Sequence, residues 1–83
     1  MRLDKYLKVS RLIKRRTVAN EACDAGKVLV NGKVARASYD VKVEDEIELT
    51  LGVRQLKVQV VSVQEVVTKT DAPMLYRVIS DGN

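Results

Sequence analysis

The apolar residues of this chain change their period at Gly26, and that change constrains the fold more than any other feature. Before it, Leu3, Tyr6 and Leu7 stand at i, i+3 and i+4, the spacing of one helix face. After it, Val28 and Val30 flank Leu29, and Glu46-Ile47-Glu48-Leu49-Thr50-Leu51 alternates strictly, as a half-buried strand does. Helices first and strands afterwards imply an α+β arrangement in which short helices pack on a small antiparallel sheet.

The helical part divides in two. The first helix keeps Leu3, Tyr6 and Leu7 inward and leaves Arg2, Lys5 and Lys8 in solvent, with Asp4 in the first turn, where the helix dipole favours a carboxylate. Ser10-Arg11-Leu12-Ile13 interrupts the period, and Leu12 and Ile13 anchor the link. Thr17 is the expected cap of a second helix whose inward residues are Val18, Ala19, Ala22 and Cys23, with Gly26 as its left-handed stop. Cys23 reads as a small buried hydrophobe.

Asn31-Gly32 between Val30 and Val34 predicts a type I′ hairpin. Residues 35–40 are an expected loop with Tyr39 packed across it, and 42–45 a polar turn. Gly52 permits a reversal into a strand expected over 54–65, whose apolar phase slips between Val60 and Val61 and suggests a bulge there. A loop over 68–73 leads to a last strand carrying Met74, Tyr76 and Val78, and 81–83 are expected to fray. The whole is read as a single domain, 1–83, with a core motif over about 1–50 and a β-rich completion over 51–80.

Charge is strongly polarised. Residues 1–42 carry eleven Lys/Arg against four acids, a net +7, and the remainder carries −3, within a chain whose net charge is +4. Such a polarised domain attracts a polyanion to one side. Lys14-Arg15-Arg16 lies just before the second helix, where open amide groups and the dipole already favour phosphate. Arg2 and Arg11 on the neighbouring segment strengthen the phosphate reading. Asp4 is read first as an internal partner that aims an arginine, ahead of direct contact with an RNA hydroxyl, and Thr17 as support for the same surface.

The chain has no His and one Cys, which removes the commonest general base and the usual zinc sets. Glu44-Asp45-Glu46-Glu48 reads as a solvated strand face, because alternation splits Glu46 and Glu48 from Asp45. The expectation is a non-enzymatic, cytoplasmic protein with neither metal nor cofactor and no membrane span. A protein interaction module that uses the acidic sheet edge is the alternative of another class.

Arg2-Leu3-Asp4-Lys5-Tyr6-Leu7, Arg11, Arg16, Ala19, Gly26-Lys27-Val28-Leu29-Val30-Asn31-Gly32 and Asp45-Glu46-Ile47 together resemble the S4 RNA-binding domain. The arrangement is most similar to the bacterial heat-shock protein fifteen family, and within it to its Gram-positive branch. The resemblance implies a clamp that binds large-subunit rRNA and peptidyl-tRNA on stalled, split large ribosomal subunits, beside the alanine-tailing factor RqcH. It makes Arg2 and Arg16 the first choices for phosphate or base-edge contact, since both occupy motif positions and a guanidinium binds in a fork, and Lys5, Arg11, Lys14 and Arg15 add charge to the same surface. It implies a monomer away from the ribosome. A general ribosome-assembly or tRNA-binding accessory is the alternative within RNA binding. Glu44 departs from the family pattern, which often has Gly there, so a looser or differently shaped turn is expected.

Overall fold

In the computed structural model, which describes residues 1–64 and 70–82, two helices precede a five-stranded antiparallel sheet. The elements are α1 (Leu3–Val9), α2 (Arg16–Asp24), β1 (Val28–Val30), β2 (Lys33–Val34), β3 (Glu46–Leu51), β4 (Arg54–Val60) and β5 (Tyr76–Gly82), with a 3₁₀ turn at Ala72–Leu75 before the last strand. The strands lie in the order β2-β1-β3-β4-β5.

Register follows the alternation. Ile47 pairs with Val58 and Leu49 with Leu56, so one face of the sheet is apolar, and the neighbouring pairs Glu46 with Gln59 and Glu48 with Lys57 form the other. One hydrophobic cluster joins Leu3, Tyr6 and Leu7 of α1 and Ala19 and Cys23 of α2 to Val28, Ile47, Leu49 and Val58 of the sheet. The Tyr6 hydroxyl donates to the Leu75 carbonyl at 2.7 Å, which ties the first helix to the far end of the chain.

Turn chemistry holds where it is local. The Gly26 amide donates to Cys23 and the Lys27 amide to Ala22, a Schellman closure of α2 with Gly26 at φ 73°. Asn31 (φ 53°) and Gly32 (φ 84°) both take left-handed conformations between β1 and β2, as a type I′ turn requires. Glu44 also sits at a φ of 78°, so this chain adopts with a glutamate the backbone that glycine adopts without strain.

Five expectations are corrected. Thr17 does not cap α2: the helix already begins at Arg16, Arg15 occupies the cap position, and no side chain bonds there. Val18 is 46% exposed, because only Ala19 and Cys23, four apart, point at α1 while Ala22 lies at the margin. The register shift falls between Lys57 and Val58, opposite Ile79, which has no partner between Val78 and Ser80; at Val60 the strand simply ends. Met74 belongs to the 3₁₀ turn, and Asp81 and Gly82 are paired with Leu56 and Gln55 where fraying was expected. The expected strand end at Glu65 and the start of the loop at Thr68 lie outside the described residues.

Candidate nucleic-acid interface

Packing of α1 on α2 sets their first turns side by side, and Asp4 lies between them. Its side chain is only 3% exposed. Arg2 forks onto it, Nε to Oδ1 at 3.2 Å and Nη2 to Oδ2 at 3.3 Å. From the other side Arg16 places Nε 3.4 Å from Oδ2, Asn20 donates to Oδ2 at 3.3 Å, and the Lys5 amide donates to Oδ1 at 2.8 Å. Burial opposes ionisation of this carboxyl, but the bonds from Arg2, Asn20, Arg16 and Lys5 outweigh it and hold it below the ordinary carboxylate range.

The outcome is a buried anion that presents two guanidiniums, each about half exposed, at one point on the surface. Two arginines aimed at one spot repel each other; a single carboxylate beneath them offsets that repulsion and fixes their direction. Each keeps donors for a ligand, since a guanidinium carries five N–H groups and only one or two are used here. Asp4 is thus the internal partner that aims an arginine, and it aims two.

Arg11, Lys14 and Arg15 are exposed on the link between the helices. Arg11 is at φ 65°, the left-handed position that ends α1, with its amide on the Lys8 carbonyl. A residue with a Cβ there costs about 1 kcal/mol relative to the right-handed conformation, so the position holds a cation where glycine would be cheaper. No side chain caps α2 at Arg15, so the amides of its first turn lack the side-chain acceptor that a cap supplies. Lys5 is half-buried on α1.

Sequence reading overlooked Asn20. The signal was present: Asn20 follows Arg16 by one helical turn and so shares its face. It also overlooked how the family's Asp45 is used. The Asp45 carboxylate accepts from the Asn31 side chain at 3.1 Å, the Tyr39 hydroxyl at 3.0 Å and the Lys42 amide at 3.0 Å, and Asn31 in turn accepts from the Glu46 amide at 3.0 Å. This second hub joins the hairpin turn to the loop before β3. That loop reaches α1 directly, through the Leu3 amide on the Tyr39 carbonyl (2.8 Å) and the Asp4 amide on the Ala37 carbonyl (3.1 Å).

Glu46 and Glu48 lie on the opposite face of the sheet, with Lys57 at 3.1 and 3.7 Å from them. Cys23 is buried, and burial together with the charges of Asp4 and Asp24 pushes its thiol up to about 11, so it is protonated at neutral pH. No helix among the described residues is long and apolar enough to cross a membrane.

The S4 domain profile matches residues 1–47, which include both helices, the hairpin and both hubs. A protein of Streptococcus pneumoniae named RQC P-site tRNA stabilizing factor is 51% identical over 98% of this chain and 92% of its own length. The protein of that name from Bacillus subtilis is 46% identical over 98% of this chain and 94% of its own. Among solved structures, the trimeric heat shock protein 15 of Vibrio cholerae superposes with a TM-score of 0.90 at 30% identity, covering 96% of this chain and 82% of that one. The family match over residues 1–47 agrees with 46–51% identity over 98% of the chain, and the chain belongs to the S4-domain family, in the group of RQC P-site tRNA stabilizing factors.

Proposed function

We propose that this protein is a non-catalytic RNA clamp of ribosome-associated quality control. It binds structured rRNA of the large subunit and the peptidyl-tRNA of a stalled, split ribosome, and it supports alanine tailing by RqcH by keeping that tRNA in place between additions. The observation that carries this reading is the buried Asp4 carboxylate holding Arg2 and Arg16 half-exposed beside the uncapped start of α2. Such an arrangement recognises phosphate position and shape, which is how a folded A-form RNA is bound when side chains cannot read its deep groove. Arg2 and Arg16 supply directed contacts. Lys5, Arg11, Lys14 and Arg15 add charge whose contribution comes from release of counterions.

No step of bond chemistry is required of the protein in this role. It resists tRNA departure, and its effect is read as processivity. The test is co-sedimentation with large subunits carrying tRNA. Arg16→Glu places a second carboxylate beside Asp4 and is expected to abolish binding while the circular dichroism spectrum stays that of the parent. Glu48→Lys, on the opposite face, is expected to bind as the parent does. Normal binding by a folded Arg16→Glu protein would refute the proposed surface.

A further inference from the structure

Beyond the helical face, β2 and the loop that follows it form a groove of about 570 Å³. Val30, Val34 and Tyr39 supply its apolar lining, and Lys33, Arg36 and Ser38 its polar one. Lys33 and Arg36 are exposed, and no carboxylate among the described residues engages either of them. The aromatic wall is held in place: the Tyr39 hydroxyl bonds to Asp45, the carboxylate that also fixes Asn31 in the hairpin turn. This is a preformed recess with an aromatic ring inside and two free cations beside it.

We infer that this groove takes one unpaired nucleotide of a single-stranded RNA segment, its base against the Tyr39 ring and its phosphates toward Lys33 and Arg36. A purely apolar ligand would leave the two cations without a role, and a base still stacked in a duplex could not reach the ring. An unpaired nucleotide satisfies both features, since it has a flat apolar face and an anionic backbone. The groove is also joined to the helical interface. The loop that lines it bonds through its Ala37 and Tyr39 carbonyls to the first amides of α1, and the backbones of Arg2 and Asp40 pair in an isolated antiparallel β-bridge. A single strand leaving a helix gripped by Arg2 and Arg16 can therefore pass directly into it. The inference rests on the RNA-binding reading only in that the ligand is RNA; the residues differ.

The test is an amide chemical-shift titration of the whole protein with a short single-stranded oligoadenylate. Shifts are expected to concentrate at residues 33–39. Arg36→Glu, an exposed change that spares the core, is expected to weaken binding about tenfold or more, within the range that base stacking and phosphate contact supply. Tyr39→Leu, which removes the ring, loses binding, whereas Tyr39→Phe keeps the ring without its tether to Asp45 and binds more weakly than the parent but more tightly than Tyr39→Leu. Glu48→Gln, on the opposite face of the sheet, leaves oligoadenylate binding intact. Shifts confined to the helical face, no shifts at all, or unchanged affinity in Arg36→Glu would each overturn the inference. These outcomes separate the two sites: intact large-subunit binding without oligoadenylate shifts removes the groove alone, and the reverse result removes the clamp alone.

Discussion

Arg11 ends α1 in a left-handed conformation that an arginine adopts only at a cost, and it lies on the exposed link beside Lys14 and Arg15. Arg11→Gly should relieve that strain and leave urea stability unchanged or higher by up to about 1 kcal/mol. The same variant should bind large subunits more weakly, with the slope of log affinity against log salt reduced by about one. A loss of stability would show that the side chain holds the turn. Asp4 makes the opposite prediction. Because its folded pKa lies below the ordinary value of 3.8, the stabilisation it contributes is present above that value and is lost as pH falls through the lowered one. Asp4→Asn should therefore cost about 1–3 kcal/mol in urea denaturation at neutral pH, and the gap to the parent should narrow as pH falls below 3.8 through the lowered value.

At the scale of elements, α2 shows how a short helix divides its work. Ala19 is fully buried against α1, Val18 is half exposed, and Arg16 and Asn20 meet Asp4 at the helix start. Ala19→Leu should overpack the contact and cost about 1–3 kcal/mol, lowering large-subunit binding in proportion because Arg2 and Arg16 lose their common support. Val18→Leu, an enlargement by one methylene at the half-exposed neighbouring position, should be within about 0.5 kcal/mol of the parent. Thermal denaturation of the two separates the inward face from the outward one. The apolar stripe of α2 was legible in Ala19 and Cys23. Val18 was not, because in a helix of this length a fourth apolar residue can lie on either side of the stripe.

Across the whole molecule, the helical face is held to the sheet by contacts between residues far apart in the chain. The Tyr6 hydroxyl, fully buried, bonds to a carbonyl in the turn before β5, and the Tyr39–Asp45–Asn31 hub ties the hairpin to the loop that supports α1. Tyr6→Phe removes one bond to the Leu75 carbonyl, which keeps those from the Val61 and Ser62 amides, and should cost about 0.5–1.5 kcal/mol in urea denaturation, with little effect on RNA affinity in the protein that stays folded. The charge distribution behaves as a molecular property as well. The basic excess of residues 1–42 gathers on the link and helix starts, while Glu46 and Glu48 are turned to the opposite side of the sheet and neutralised in part by Lys57.

The sequence by itself determined what depends on neighbours in the chain: two helices from their period and the stop at Gly26, the hairpin at Asn31-Gly32, the alternation of β3, and the family from the spacing of its motifs. It also named Arg2, Asp4 and Arg16 as belonging to one surface. Only the tertiary structure decided that both arginines share one carboxylate with Asn20, that the β4–β5 irregularity lies opposite Ile79, and that Asp81 is paired through the end of the last strand. The physical reason is the same in each case. Helix periods and tight turns are set by sterics and hydrogen bonds over a few residues, whereas a shared ion partner or a strand register depends on groups that meet only when distant segments pack.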